Sequence, residues 1–108
     1  MAYTPKKTKE YEDLILQTFL ATKGHHKYPE GTPLRLDITV LKKGAKKLEG
    51  QFAPVKPDMD NVIKVVMDAL EGFAYVNDNS ICHIGETKKI YGLCEGLMIT
   101  LCEARTDL

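Results

Sequence analysis

The residues of this chain that could do chemistry are acidic and lie around one amphipathic segment. Asp58 and Asp60 stand two positions apart, directly before a run with helical spacing. Residues two apart in an extended or turning segment project to the same side, so both carboxylates can reach one site. Asp60 also stands where a helix N-cap is wanted, an alternative role that leaves Asp58 unexplained.

Further polar residues continue this pattern along the chain. Lys64 and Asp68 follow Asp60 at i+4 and i+8, on one face of the predicted helix. They form either a surface ladder of ion pairs, worth about 0.2–0.5 kcal/mol each, or a site in which the Lys64 ammonium holds a phosphate or a developing oxyanion. Asp78, flanked by two asparagines, is either a turn residue or a third metal-binding carboxylate.

Two or three aspartates and a lysine, together with Mg²⁺, provide the groups that hydrolysis of a phosphodiester needs. That reaction needs an activated water and a counter-charge for the leaving oxygen. Mg²⁺ supplies both, and it prefers a few carboxylate oxygens with several waters retained. Spacing alone leaves a structural role open as well, because aspartates are common before helices.

The elements that must position these residues follow from the hydrophobic pattern. Helical spacing predicts one helix over residues 6–22, opened by Thr4-Pro5, and a second over Asn61–Leu70, closed by Gly72. Alternation predicts a strand from Pro33 to Leu41, and shorter β-prone segments follow at Ala74–Val76, Ser80–Lys89 and Leu97–Glu103. This order predicts an α+β fold, with two main helices packed on a small mixed sheet, in a single domain over residues 1–108.

Length and composition limit the class of protein. The chain has 108 residues, of which 44% are hydrophobic, enough for one core. It has no apolar run of about 18 residues, so a membrane span is excluded, and its first residues lack the apolar core of a signal peptide. Cys82, Cys94 and Cys102 lie outside any Cys-x-x-Cys spacing, which predicts small buried side chains in a reducing cytoplasm.

The net charge of zero conceals an asymmetry between the two halves of the chain. Residues 1–56 hold 11 Lys and Arg against 6 Asp and Glu, whereas residues 57–108 hold 4 against 9. This is either a phosphate-binding surface beside a metal-binding cluster or ordinary solvated surface. A basic loop contains Lys42, Lys43, Lys46 and Lys47, and it is either a solvated connection or a contact to a nucleic-acid backbone.

Taken together, the motifs resemble the RusA-type Holliday-junction resolvases. The resemblance rests on Lys-Pro-Asp-Met-Asp-Asn-Val-Ile-Lys over residues 56–64, Asp-Ala-Leu over 68–70, Tyr-Val-Asn-Asp-Asn-Ser-Ile over 75–81, and Lys88. These motifs keep the order and spacing of the family. A looser likeness, including Tyr-Thr-Pro at residues 3–5 and the last predicted strand, covers most of the chain.

The resemblance implies a small, homodimeric, Mg²⁺-dependent endonuclease that binds four-way DNA junctions. Such enzymes resolve Holliday junctions by paired symmetric nicks in recombination and repair, and phages or prophages often encode them. By position, the resemblance makes Asp58, Asp60 and Asp78 catalytic metal ligands and Lys64 a catalytic lysine. The lysines expected to contact DNA are Lys56, Lys88, Lys42, Lys43, Lys46 and Lys47.

The chain departs from the family pattern in two places. Asn77-Asp78 stands where the family usually has two aspartates, which removes one negative charge but not the expected ligand. The N-terminal strand of the family and its basic, proline-containing stretch are expected to be absent, which puts the dimer and the affinity for DNA in question. A non-catalytic DNA-binding protein with the same fold is therefore an alternative, and a partner-binding subunit without nucleic acid is a third.

Overall fold

The structure, a computed structural model, describes residues 6–106 of the chain. The helices are α1 (Lys6–Ala21) and α2 (Met59–Leu70), and the strands are β1 (Leu34–Lys43), β2 (Ile81–Gly92) and β3 (Gly96–Glu103). Short 3-10 helices lie at Lys46–Leu48 and Asp78–Ser80. The predicted α+β class is confirmed, while the expected Thr4-Pro5 helix start lies outside the described residues.

The strands form a mixed sheet in the order β2-β1-β3. The central strand β1 runs parallel to β2 and antiparallel to β3, with Ile38 in register with Thr87 on one side and Ile99 on the other. Every second residue of β1 points to the same face. The buried side chains on that face are Leu34, Leu36, Ile38 and Val40, so the predicted alternation is confirmed.

The opposite face of β1 carries an ion pair instead of a core. Arg35 donates from Nε to Asp37 Oδ1 at 2.8 Å and from Nη2 to Oδ2 at 3.2 Å. The hydrogen bond to Asp37 raises the pKa of the Arg35 guanidinium. The pair occupies the space over Gly85 of β2, where an added Cβ would overlap both side chains. Glycine at this position therefore leaves room for the pair.

The described chain divides into two compact units. Among the described residues, one unit comprises residues 6–32 and 60–80, and the other comprises residues 33–59 and 81–106. The second unit holds the sheet, and its buried apolar residues are those of β1 together with Ala53. The first unit holds both helices except the first residue of α2, and its buried residues are Ile15, Val62, Val66, Ala69, Leu70, Ala74 and Tyr75. The single domain stays a prediction.

Helix α2 separates apolar from charged residues by its helical period. Val62, Val66 and Ala69 are buried at spacings of four and three residues, as expected for the core side of an amphipathic helix. Lys64 and Asp68, four residues apart, are exposed together with Asp60. The predicted charged face is therefore confirmed, and the fold presents its groups to solvent.

The predicted strand at Ala74–Val76 is wrong. This segment instead forms the turn that follows α2, in which Gly72 adopts a φ of 85° and donates its N–H to the Tyr75 carbonyl at 2.8 Å. The buried Tyr75 also donates its hydroxyl to the Met67 carbonyl at 2.6 Å. Ala74 and Tyr75 are buried beside the helix end, whereas Val76 is exposed, so the packing of the first two residues decides the structure here and their β propensity does not.

The structure also bears on the predictions made for the cysteines and for a membrane span. Cys82, Cys94 and Cys102 are exposed, so the prediction that they are buried is wrong. Cys102 is in register with Arg35, on the face of β1 that carries the ion pair, which explains its exposure. Neither helix within residues 6–106 combines the length and apolar character that crossing a bilayer requires.

Candidate active site

The predicted catalytic aspartates Asp58 and Asp60 lie on either side of the first residue of α2. The helix begins at Met59, two residues before the predicted start. Asp60 therefore lies in the first helical turn and not at the N-cap, and the positive end of the helix dipole favours a carboxylate there. Because Asp60 is helical, the rule for extended segments does not bring it to the same side as Asp58. Both residues are exposed.

The carboxylate of Asp58 is open to solvent and weakly paired. Its Oδ2 lies 3.7 Å from Lys56 Nζ, and the two side chains are 58% and 88% exposed. An ion pair this exposed and this long contributes little free energy. The carboxylate can therefore exchange its lysine partner for another cation at small cost.

The segment before Asp58 is held by a lysine of β2. Lys89 Nζ donates to the carbonyl oxygens of Val55 and Pro57, the latter at 2.9 Å, and the Lys89 carbonyl accepts the Ala53 N–H at 3.1 Å. The sequence does not predict this role of Lys89. More than 30 residues separate it from these carbonyls, and no sequence spacing predicts a contact from a lysine to carbonyls so far away.

Asp78 opens the short 3-10 helix that precedes β2. Its N–H donates to Glu71 Oε2 at 3.2 Å, and the Asn77 side-chain oxygen accepts the Asn79 N–H at 3.1 Å. The second bond is an Asx turn, in which an aspartate oxygen can replace the asparagine oxygen. Asn77 thus preserves the turn while removing one charge. Glu71, which the sequence motifs did not indicate, anchors the backbone of Asp78.

The end of α2 and the turn after it form a negatively charged region. Burial raises the pKa of Tyr75, and the charges of Asp78, Glu71 and Asp68 raise it further. These carboxylates are therefore near enough to oppose a negative charge on the phenol. The same field favours a cation in this part of the helical unit.

Lys64 faces solvent without an internal partner in the described part of the chain. Within residues 6–106 it forms no ion pair with Asp60 or Asp68, so the predicted ladder is not formed there. Its ammonium is available to an anion from outside the chain. The predicted catalytic role of Lys64 stays a prediction.

Several lysines expected to contact DNA are paired with glutamates. Lys42 donates to Glu95 Oε1 at 3.1 Å, and Glu95 Oε2 accepts the Lys43 N–H at 3.1 Å. The hydrogen bond from Lys42, followed by the one from the Lys43 N–H, lowers the pKa of Glu95. A phosphate that binds Lys42 must therefore compete with Glu95.

The remaining lysines are distributed over the sheet-containing unit. Lys88 donates to Glu86 at 2.8 Å and is in register with Thr39, whereas Lys42 is in register with Tyr91. Alternation along β1 places these two lysines on opposite faces of the sheet. Lys46 and Lys47 are exposed in the 3-10 helix after β1. The lysines therefore do not form one flat patch, and their role in DNA binding stays a prediction.

The side-chain oxygens of the three predicted metal ligands are of the chemical type that Mg²⁺ prefers. Asp58, Asp60 and Asp78 offer hard carboxylate oxygens, and Mg²⁺ in proteins commonly takes one or two carboxylates together with waters and substrate phosphates. Among residues 6–106, no three or more His, Cys, Asp or Glu side chains form a group that could hold a metal ion. Asp58 belongs to the sheet-containing unit, and Asp60 and Asp78 to the helical unit. That the three share one cation stays a prediction.

Comparison with known proteins adds one finding. A sequence model of the family described as Endodeoxyribonuclease RusA matches residues 1–102 of the chain. The matched range includes every residue that the sequence assigned to catalysis, metal binding or DNA contact. No curated protein and no solved structure matches the chain significantly.

Proposed function

The chain belongs to the RusA endodeoxyribonuclease family, as its motifs predicted, and from this premise we propose that it is a Mg²⁺-dependent nuclease that resolves four-way DNA junctions. The observation that carries the proposal is the family match over residues 1–102. The exposed carboxylates at the start of α2 and the negative region at its end support it, because both favour a divalent cation.

The proposed mechanism divides the work between carboxylates and a lysine. Asp58, Asp60 and Asp78 would hold Mg²⁺, which when bound supplies an activated water and a counter-charge for the leaving oxygen. Lys64 donates from its ammonium to a non-bridging oxygen of the scissile phosphate, where negative charge increases during the reaction. Glu71 positions Asp78 by accepting its N–H.

Neutral variants of the aspartates test this assignment. Asp60→Asn and Asp78→Asn keep the size of the side chain and remove the charge, so cleavage of a synthetic junction in MgCl₂ should fall about 100-fold or more, the usual effect of losing one group that stabilises the transition state. Asp13→Asn is the matched control, because Asp13 is exposed on α1 and paired only weakly with Lys9 at 3.6 Å. Cleavage by both variants at the wild-type rate would contradict the assignment.

A non-catalytic DNA-binding protein is the second candidate. The observation that favours it is Asn77, which stands where the family usually has an aspartate and removes one negative charge beside Asp78. Retention of a labelled junction in EDTA, with affinity that falls as salt increases, indicates phosphate contacts under either candidate. A wild-type chain that retains the junction but never nicks it in MgCl₂ would favour the second candidate over the first.

The proposed assembly is a homodimer. A four-way junction has approximate two-fold symmetry, and paired nicks require paired sites, which a closed two-fold dimer supplies. Sedimentation of the free chain and of its complex with a junction measures this directly. The expected result is two chains per junction, whereas full cleavage by a species that sediments only as a monomer would contradict the proposal.

A further inference from the structure

Lys89 forms hydrogen bonds with the segment immediately before Asp58, through both its main chain and its side chain. The Lys89 carbonyl accepts the Ala53 N–H at 3.1 Å, and its ammonium donates to the Val55 and Pro57 carbonyls. Two of the three donors of the ammonium are thus used on backbone oxygens of a single segment. All of these residues belong to the sheet-containing unit.

The position of Lys89 in the sheet explains why its ammonium takes carbonyl partners. Lys89 is in register with the buried Val40, so its stem extends over the apolar face of the sheet and is only half-buried. An ammonium that leaves water must be hydrogen-bonded, and the two carbonyls meet this need. An uncharged apolar side chain would suit this face equally well, so the core does not require a lysine here.

We propose that Lys89 is a positioning residue, which fixes the Pro57 peptide and thereby the carboxylate of Asp58 for binding a divalent cation. The Pro57 carbonyl and the Asp58 nitrogen belong to one planar peptide unit. A hydrogen bond to that carbonyl therefore restricts the backbone at Asp58. Among residues 6–106, the side chain of Asp58 has only the exposed Lys56 as an ion-pair partner, at 3.7 Å. Groups that orient a metal ligand from outside the ligand set commonly change metal affinity by 10- to 100-fold.

This inference rests on the proposed function for its metal, and its test has a readout that does not depend on cleavage. The variants are Lys89→Met, which keeps the length of the stem and removes the donors, and Lys89→Arg, which keeps a charged donor. Lys9→Met is the charge-matched control, since Lys9 is exposed on α1 and forms a weak ion pair with Asp13. Binding of MnCl₂ to each full-length protein is titrated by calorimetry without DNA, and amide hydrogen exchange is followed at residues 53–58.

The expected result is specific to the Asp58 region. Lys89→Met should weaken Mn²⁺ binding about 10-fold or more and speed amide exchange at Ala53 and Val55, whose N–H groups are hydrogen-bonded. Lys89→Arg should recover most of the affinity, and Lys9→Met should stay at the wild-type value. In cleavage, the MgCl₂ concentration for half-maximal rate should rise for Lys89→Met, and the rate at saturating MgCl₂ should approach that of wild type. A purely structural role would lower the amount of folded protein without moving either metal constant.

The opposite results separate the two proposals. Lys89→Met with wild-type Mn²⁺ affinity would overturn the positioning role, even if the chain cleaves junctions. Loss of Mn²⁺ affinity in Lys89→Met, in a chain that cleaves no junction, would support the positioning role and reject the proposed nuclease. If Lys89→Met does not fold, Lys89→Leu, which also removes the donors and keeps an apolar side chain, replaces it under the same criteria.

Discussion

Replacing Lys64 by methionine separates catalysis from stability, because the structure gives this lysine no internal partner among the described residues. Methionine keeps the apolar stem and the helix propensity while removing the ammonium. If Lys64 formed ion pairs with both Asp60 and Asp68, at about 0.2–0.5 kcal/mol each, its replacement would lower the free energy of unfolding by as much as about 1 kcal/mol. With neither pair formed and the side chain exposed, we expect the free energy of unfolding to change by less than about 0.5 kcal/mol.

The expected effect on cleavage is much larger. If the Lys64 ammonium meets the charge that develops on the scissile phosphate, its loss should slow the chemical step about 10²–10³-fold, or about 2.7–4 kcal/mol of barrier. Junction binding should weaken only slightly, because other lysines share the phosphate contacts. Single-turnover nicking with the junction saturated by protein measures the first quantity, and urea unfolding measures the stability. Lys9→Met controls for the loss of one surface charge.

A Lys64→Met chain that nicks at the wild-type rate would reject the catalytic role, and a slope of log affinity against log salt reduced by about one would make Lys64 an ordinary phosphate contact. A loss of about 1 kcal/mol in stability with unchanged cleavage would instead indicate the ion-pair ladder.

Other substitutions test the packing and charges of the sheet. Since the pKa of Glu95 is lowered from 4.5 on folding, its pairing with Lys42 stabilises the fold above that value and is lost as the pH falls through the lowered pKa. Glu95→Gln should therefore reduce thermal stability at pH 7, and a difference that persists at pH 2 would contradict this. Thr87 Oγ1 is buried without a hydrogen-bond partner among residues 6–106, so Thr87→Val should raise the urea-unfolding free energy by about 1 kcal/mol, and a decrease would show that the hydroxyl is satisfied. Gly85→Ala must displace the ion pair above it, a loss of up to about 1 kcal/mol that is offset by about 0.4–1 kcal/mol from the less flexible unfolded chain. A destabilisation above about 2 kcal/mol would mean that the backbone has moved.

Local periodicity was enough to predict the principal elements. The apolar residues of β1 alternate strictly, and those of α2 recur every three or four residues, so each pattern is compatible with one kind of element. The strand predicted at Ala74–Val76 was wrong, because three consecutive apolar residues fit a strand and a turn equally well. The hydrogen bond from Tyr75 to Met67 at 2.6 Å, a tertiary contact, decides between them.

The candidate site was predictable only in its residue types. Asp58, Asp60 and Asp78 are indicated by motif, and the shift of the helix start to Met59 changes the direction of Asp60 without changing its identity. Glu71 and Lys89 could not be predicted, because each supports a site residue through a backbone atom. Such contacts depend on how the chain folds and leave no pattern in residue type or spacing.

Strand-resolved mapping of the products from a four-way junction, with each strand labelled in turn, tests the central claim most directly. In MgCl₂ the wild-type chain should introduce one nick in each of two opposing strands, at symmetry-related positions, and none in EDTA. All four strands remaining intact in MgCl₂, with the junction still bound to the protein, would contradict the assignment of this chain as a junction-resolving nuclease.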